Sequence, residues 1–161
     1  MNNIEISCYD IKEASLKDSS VDFSEDRIRS LLLDVLRILE KDNWEVSVVL
    51  TNDKTIQKLN KDYRGLDEAT DVLSFCQKEA DCETAENISA EEEIFSAGDI
   101  IISLETLKKN ALFFDVEEQT EFNRLLVHGL LHLAGWDHES NDHKEPMLVF
   151  QETILKKTQS V

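Results

Sequence analysis

Three of the chain's four histidines fall in one run, HGLLHLAGWDH, from His128 to His138. His128 and His132 are four residues apart. At 3.6 residues per helical turn, that spacing places both imidazoles on one face about one turn apart, within reach of a single metal ion. His138 lies ten residues past His128. In a continued helix it would stand about 15 Å along the axis and face another way. It joins the pair only if the chain turns back, and Gly135 sits where the turn is needed, because glycine accepts the positive φ of a helix C-terminus. Three neutral imidazoles leave one coordination position for water, the pattern of a catalytic rather than a structural zinc site. Zinc in such a site lowers the pKa of water toward about 7 and polarises a substrate oxygen. Two histidines at this spacing are more often surface or core residues. The third histidine and the glycine favour one zinc ion on His128, His132 and His138.

The residue after His128 is Gly129. In the H-E-x-x-H motif of metalloproteases that slot holds the glutamate that acts as general base, so a peptidase mechanism lacks its usual proton acceptor here. Asp137, beside His138, is a candidate for that role. It is equally a candidate for orienting an imidazole from outside the ligand set, and spacing leaves both open. A second stretch, NKDYRGLDEATDVLSF (60–75), contains Arg64. A guanidinium near a metal suits phosphate, because it binds two phosphate oxygens at once. Taken alone, Arg64 reads as a surface residue, and Asp67, Thr70 and Asp71 as turn and cap residues.

The elements that must position these residues follow from periodicity. NIEISCY (3–9) alternates weakly and predicts a strand. Ser24 stands at a helix N-cap, followed by Ile28, Leu31, Leu32, Val35, Leu36 and Leu39 at helical spacing, which predicts a helix over 25–41. WEVSVVLT (44–51) puts Trp44, Val46, Val48 and Leu50 on one strand face. Asn52 or Asp53 caps a short helix carrying Ile56, Leu59 and Tyr63. TDVLSF (70–75) predicts a third strand, and AGDIIIS (97–103) has the continuous apolar run of a buried sheet position. Helices follow over about 104–113, about 116–134 and from Pro146 to about 157, proline being tolerated in a first turn. Gly98–Asp99 reads as a turn, or else as a carboxylate at the start of the central strand, Trp44 and Phe75 read as core, Ser74 and Cys76 as packed residues able to line a cleft, and His143 as exposed. The order β-α-β-α-β-β-α-α-α predicts an α+β fold with a mixed four-stranded sheet, packed helices and a zinc-protease-like metal-site helix.

The chain has 161 residues, 41% apolar and 32% charged, with one proline and four glycines. That length suits one domain spanning 1–161. The net charge is −17, which opposes general nucleic-acid binding and leaves only a local cationic patch for such a ligand. Residues 79–93 contain no basic residue and read as a solvated acidic loop. No secretory signal and no apolar run of membrane-spanning length is present, and Cys8, Cys76 and Cys82 lack metal-type spacing. A reducing, cytoplasmic setting is expected.

YRGLDEATDVLSF, AGDIIISLET and LLVHGLLHLAGWDHE resemble, in the same order, the three signature blocks of the YbeY family of bacterial metal-dependent endoribonucleases. Weaker similarity extends over nearly the whole chain. The resemblance implies a single-strand-specific endoribonuclease that matures the 3′ end of small-subunit (16S) rRNA and serves ribosome quality control. It implies one zinc ion on His128, His132 and His138, a functionally important arginine at Arg64, and single-stranded rRNA and small-subunit proteins as partners. Trp136 stands where tyrosine is common, Pro146 interrupts the usual acidic helix, and the acidic stretch is long. The alternatives are a metalloprotease-like hydrolase and a non-catalytic ribosome assembly factor with a structural zinc.

Overall fold

Apolar side chains at alternate positions of a strand must find apolar cover on one face of the sheet. In Trp44–Thr51 they do. Val46, Val48 and Leu50 join the main core, while Val49, pointing the other way, packs in a second cluster. A computed structural model describes residues 1–77 and 94–159. Its elements are β1 (Asn3–Cys8), α1 (Glu13–Lys17), α2 (Glu25–Ile38), β2 (Trp44–Thr51), α3 (Asp53–Arg64), β3 (Val72–Cys76), β4 (Phe95–Ser103), α4 (Leu104–Phe114), α5 (Glu118–Leu133) and α6 (Pro146–Gln159). The sheet order is β1-β2-β4-β3. β1, β2 and β4 run parallel and β3 pairs antiparallel with β4 at the edge. This is the expected α+β architecture with a mixed sheet.

The main core lies between one sheet face and α2, α5 and α6. The smaller cluster of Ile56, Leu73 and Ile101 lies on the opposite face, under α3. β4 feeds both, with Ile100 and Ile102 in the first and Ile101 in the second. That is why its sequence is apolar without alternation. α5 is buried almost all round, from Phe122 to Leu133, because it packs on β3, β4, α2, α4 and α6. Each fully buried leucine or isoleucine contributes about 1.5–3 kcal/mol of transfer free energy, so this helix is held by tertiary packing.

Four expectations shift. α1 breaks the predicted order; it is a five-residue helix with no buried residue, so periodicity had nothing to detect. Ser24 occupies the N-cap position of α2 without a side-chain cap bond, whereas Asn52 Oδ1 accepts from Thr55 N at 2.9 Å. Gly98–Asp99 is not a turn but lies inside β4, at a register shift against β2. A Cβ at Gly98 would stand 2.0 Å from the Phe75 carbonyl oxygen, so only glycine lets β3 approach there. Phe75 is half-buried rather than core. The acidic stretch and Cys82 lie outside the described residues. Among those described, no helix is long and apolar enough to cross a membrane.

Candidate metal centre

α5 ends at Leu133, with its C-cap at Ala134. Gly135 follows at φ 92°, the left-handed region that favours glycine, and the chain folds back. Trp136 N donates to Leu131 O at 3.0 Å, closing the turn. The return brings His138 beside the two helical histidines. Ring centroids are 4.7 Å apart for His128–His132, 5.1 Å for His128–His138 and 5.3 Å for His132–His138. One nitrogen from each ring lies within 4.8 Å of the other two.

The outward nitrogens settle what the inward ones can do. His132 Nδ1 meets the Trp136 carbonyl at 3.0 Å and His138 Nδ1 meets the Ser140 carbonyl at 2.8 Å. A backbone carbonyl only accepts, so both Nδ1 atoms carry the proton. His128 Nδ1 donates to Gln151 Oε1 at 2.7 Å, and Gln151 Nε2 in turn donates to Glu152 at 3.4 Å. All three Nε2 atoms are then lone-pair donors. His128 and His132 bring theirs to 3.1 Å with no hydrogen between them. A cation fits that arrangement; the neutral pair alone does not. Burial, reinforced by the His128 and His138 rings, holds the pKa of His132 down at about 4. Burial also lowers that of His128. Both rings are thus neutral near pH 7, as ligation requires.

Gln151 was not foreseen as part of this centre. Its signal was available: it is a polar residue in the buried stripe Met147, Gln151, Ile154, Leu155 of α6. Buried polar groups are normally hydrogen-bonded, so such a residue marks a partner to be found. Because outer partners of ligating histidines fix tautomer and ring orientation, Gln151→Leu is expected to weaken metal affinity by about 10- to 100-fold. Chelator competition against a fluorescent zinc indicator measures this; unchanged affinity would remove Gln151 from the centre.

The histidines open into a cleft of about 1040 Å³. Arg64, Ser74, Cys76, Asp137, Trp136 and Arg124 also line it. Arg64 is the last residue of α3, and Gly65 at φ 71° caps the helix behind it. Arg64 Nη2 donates to the Ser74 carbonyl at 3.0 Å, and its guanidinium carbon sits 5.8 Å from the Phe75 ring centroid. Anchored to β3 by one edge, the guanidinium keeps most of its N–H donors for a ligand. Asp137 Oδ1 accepts from the His138 amide at 2.8 Å. The three Nδ1 atoms bond elsewhere, so Asp137 is not an imidazole-orienting group. His143 lies outside the three-histidine group, with its side chain 89% exposed.

Sequence reasoning also passed over Arg124 and Glu121, one and two turns before His128 on α5. Arg124 bonds Glu152 at 2.7 Å and Glu121 at 2.9 Å. Burial pushes the Glu121 carboxyl up, against the pull of Arg124.

Gly129 packs directly on the sheet. A Cβ there would meet Ile100 Cγ2 at 2.7 Å and Ser74 Oγ at 3.3 Å, and the Gly129 carbonyl accepts the Ser74 hydroxyl at 3.2 Å. The slot that a peptidase fills with glutamate is closed here by β3 and β4.

Comparison with known proteins gives a consistent picture. A family model described as endoribonuclease YbeY matches residues 13–159. A protein named endoribonuclease YbeY from Treponema denticola is 44% identical over 129 residues, 80% of each chain. One of the same name from Borrelia hermsii is 41% identical over 152 residues, 93% of this chain and 97% of the relative. The solution structure of TM1509 from Thermotoga maritima superimposes with a TM-score of 0.60 at 25% identity, covering 98% of this chain and 89% of that one.

Proposed function

The chain belongs to the endoribonuclease YbeY family, and from that premise we propose that it is a zinc-dependent endoribonuclease cleaving single-stranded RNA. The observation that carries the proposal is the convergence of three Nε2 lone pairs in a cleft that Arg64 also lines. His128, His132 and His138 would hold the metal, and zinc bound there supplies Lewis-acid polarisation of a phosphate oxygen and a lowered pKa for water. Arg64 binds the phosphate and offsets the negative charge that grows on it, the electrostatic role that dominates phosphoryl transfer. Asp137, with Oδ1 committed to the turn, offers Oδ2 as proton acceptor. Membership supports 3′-end maturation of 16S rRNA and ribosome quality control as the cellular task, carried out in the cytoplasm with small-subunit proteins as partners. We read residues 1–161 as one domain serving that task.

The test is cleavage of single-stranded RNA, duplex RNA and a casein panel, with and without chelator. A His132→Ala preparation run beside it exposes contaminating ribonuclease. Chelator-sensitive cleavage confined to single-stranded RNA is expected. Casein cleavage without RNA cleavage would make the protein a peptidase, the reading that Gly129 opposes. Rescue of ribosome maturation in cells by His132→Ala would make it an assembly factor. Arg64→Glu is expected to lower RNA cleavage by at least about 10²- to 10³-fold while zinc content stays at the wild-type level. Cleavage at the wild-type rate would remove Arg64 from the mechanism.

A further inference from the structure

An RNA strand needs more from this cleft than the metal centre supplies. Non-specific affinity for nucleic acid normally comes from cations that displace counterions, about one per phosphate contacted. The protein carries a net charge of −17. Among the described residues lining the cleft, the side chains that carry a permanent positive charge are Arg64 and Arg124. Arg124 is already neutralised by Glu121 and Glu152, so beyond the metal centre itself Arg64 is the one side chain among them that presents unpaired positive charge to the backbone. Glu68, Asp71 and Asp137 line the same cleft and oppose a polyanion. Affinity for a strand must come largely from its bases.

Trp136 is the group suited to them. It follows the Gly135 turn, lines the cleft and leaves 38% of its surface exposed. Its inner face rests on Phe150, with ring centroids 4.9 Å apart and planes inclined at 37°. Its backbone is pinned by the Leu131 carbonyl and by His132 Nδ1. An indole braced from behind and open in front is a preformed stacking surface beside the metal ligands. We propose that Trp136 stacks on an unpaired base of the RNA and thereby selects single strands over duplex. Every base has a π face, but a duplex hides it between neighbours. The proposal rests on the endoribonuclease reading above and adds a recognition group to it.

The two tryptophans make the test direct. Trp44 is 3% exposed in the core and gives a constant background, so a fluorescence change on binding reports Trp136. The metal-loaded protein is mixed in stopped flow with a single-stranded RNA oligomer, a duplex of the same sequence, and an oligomer of equal length and charge with abasic riboses at its centre. Rapid quenching by the single strand is expected, with little from the duplex or abasic strand. Trp136→Ala is expected to raise KM about 5- to 150-fold, the equivalent of one lost stacking contact, with kcat less affected and zinc content unchanged. Should Trp136→Ala lose zinc, Trp136→Phe keeps a ring on Phe150. It is expected to retain wild-type KM while abolishing the fluorescence change. Equal quenching by the abasic strand, or a wild-type protein that cleaves RNA without quenching, would overturn the stacking assignment while leaving the activity in place. A wild-type protein that neither binds nor cleaves single-stranded RNA would overturn the reading beneath it.

Discussion

Replacing His132 with alanine is expected to abolish stoichiometric zinc binding and to reduce RNA cleavage to that of the chelated wild type. Two imidazoles remain, one on α5 and one after the turn, too few to hold a catalytic zinc against water. Metal analysis of purified protein checks the first outcome, and His128→Ala should match it. Metal content equal to wild type in either variant would undo the centre. Stability gives an independent check. His132 is kept neutral by burial; its Nδ1 bond to the Trp136 carbonyl supports the turn, but its Nε2 faces another lone pair at 3.1 Å, so in metal-free protein the two effects largely offset. The metal-free variant should therefore lie within about 1 kcal/mol of metal-free wild type, as functional groups often tax rather than support a fold. With zinc at about one hundred times its Kd, the wild type gains about 2.7 kcal/mol and His132→Ala gains none. Thermal unfolding with and without zinc measures both differences.

Gly129→Glu, which would restore the metalloprotease motif, is expected to cost more than about 4 kcal/mol and to leave little folded protein. Two effects add. The new side chain would start 2.7 Å from Ile100 Cγ2, and Ile100 is itself fully buried on β4, so overpacking costs about 1–3 kcal/mol. A carboxylate would then be desolvated against the sheet without a cationic partner, worth several kcal/mol more. Removing glycine from a helix returns only about 1 kcal/mol. The total approaches the whole stability of a typical domain, about 5–15 kcal/mol. Gly129→Ala isolates the steric part and should lose no more than about 2 kcal/mol net. Urea midpoints and soluble yield distinguish the cases. A well-folded Gly129→Glu protein that cleaves casein would overturn the packing account and revive the protease reading.

Much of the centre was legible because it is local. His128 and His132 share one helix, and Gly135 announced the turn that returns His138 to them. The strands β2 and β4 were equally plain, since their apolar patterns report which faces are covered. α1 escaped because it buries nothing. Gly98 was misplaced because the reason for it, the Phe75 carbonyl of a neighbouring strand, leaves no mark in adjacent residues. The ambiguity of Asp137 also had a tertiary cause: whether it orients a ring depends on which acceptors the rings have already found.

By itself the sequence determined which three histidines converge, their spacing and the break between them, because helix geometry converts spacing along the chain directly into direction. Tertiary structure alone decided the rest. It placed Gln151 of α6 on His128 and set Arg64, at the end of α3, in the wall of the same cleft. It also showed why position 129 is glycine, through the contact of α5 with Ile100 and Ser74. Each of these joins residues far apart in the chain, and only packing on a common sheet brings them within bonding distance.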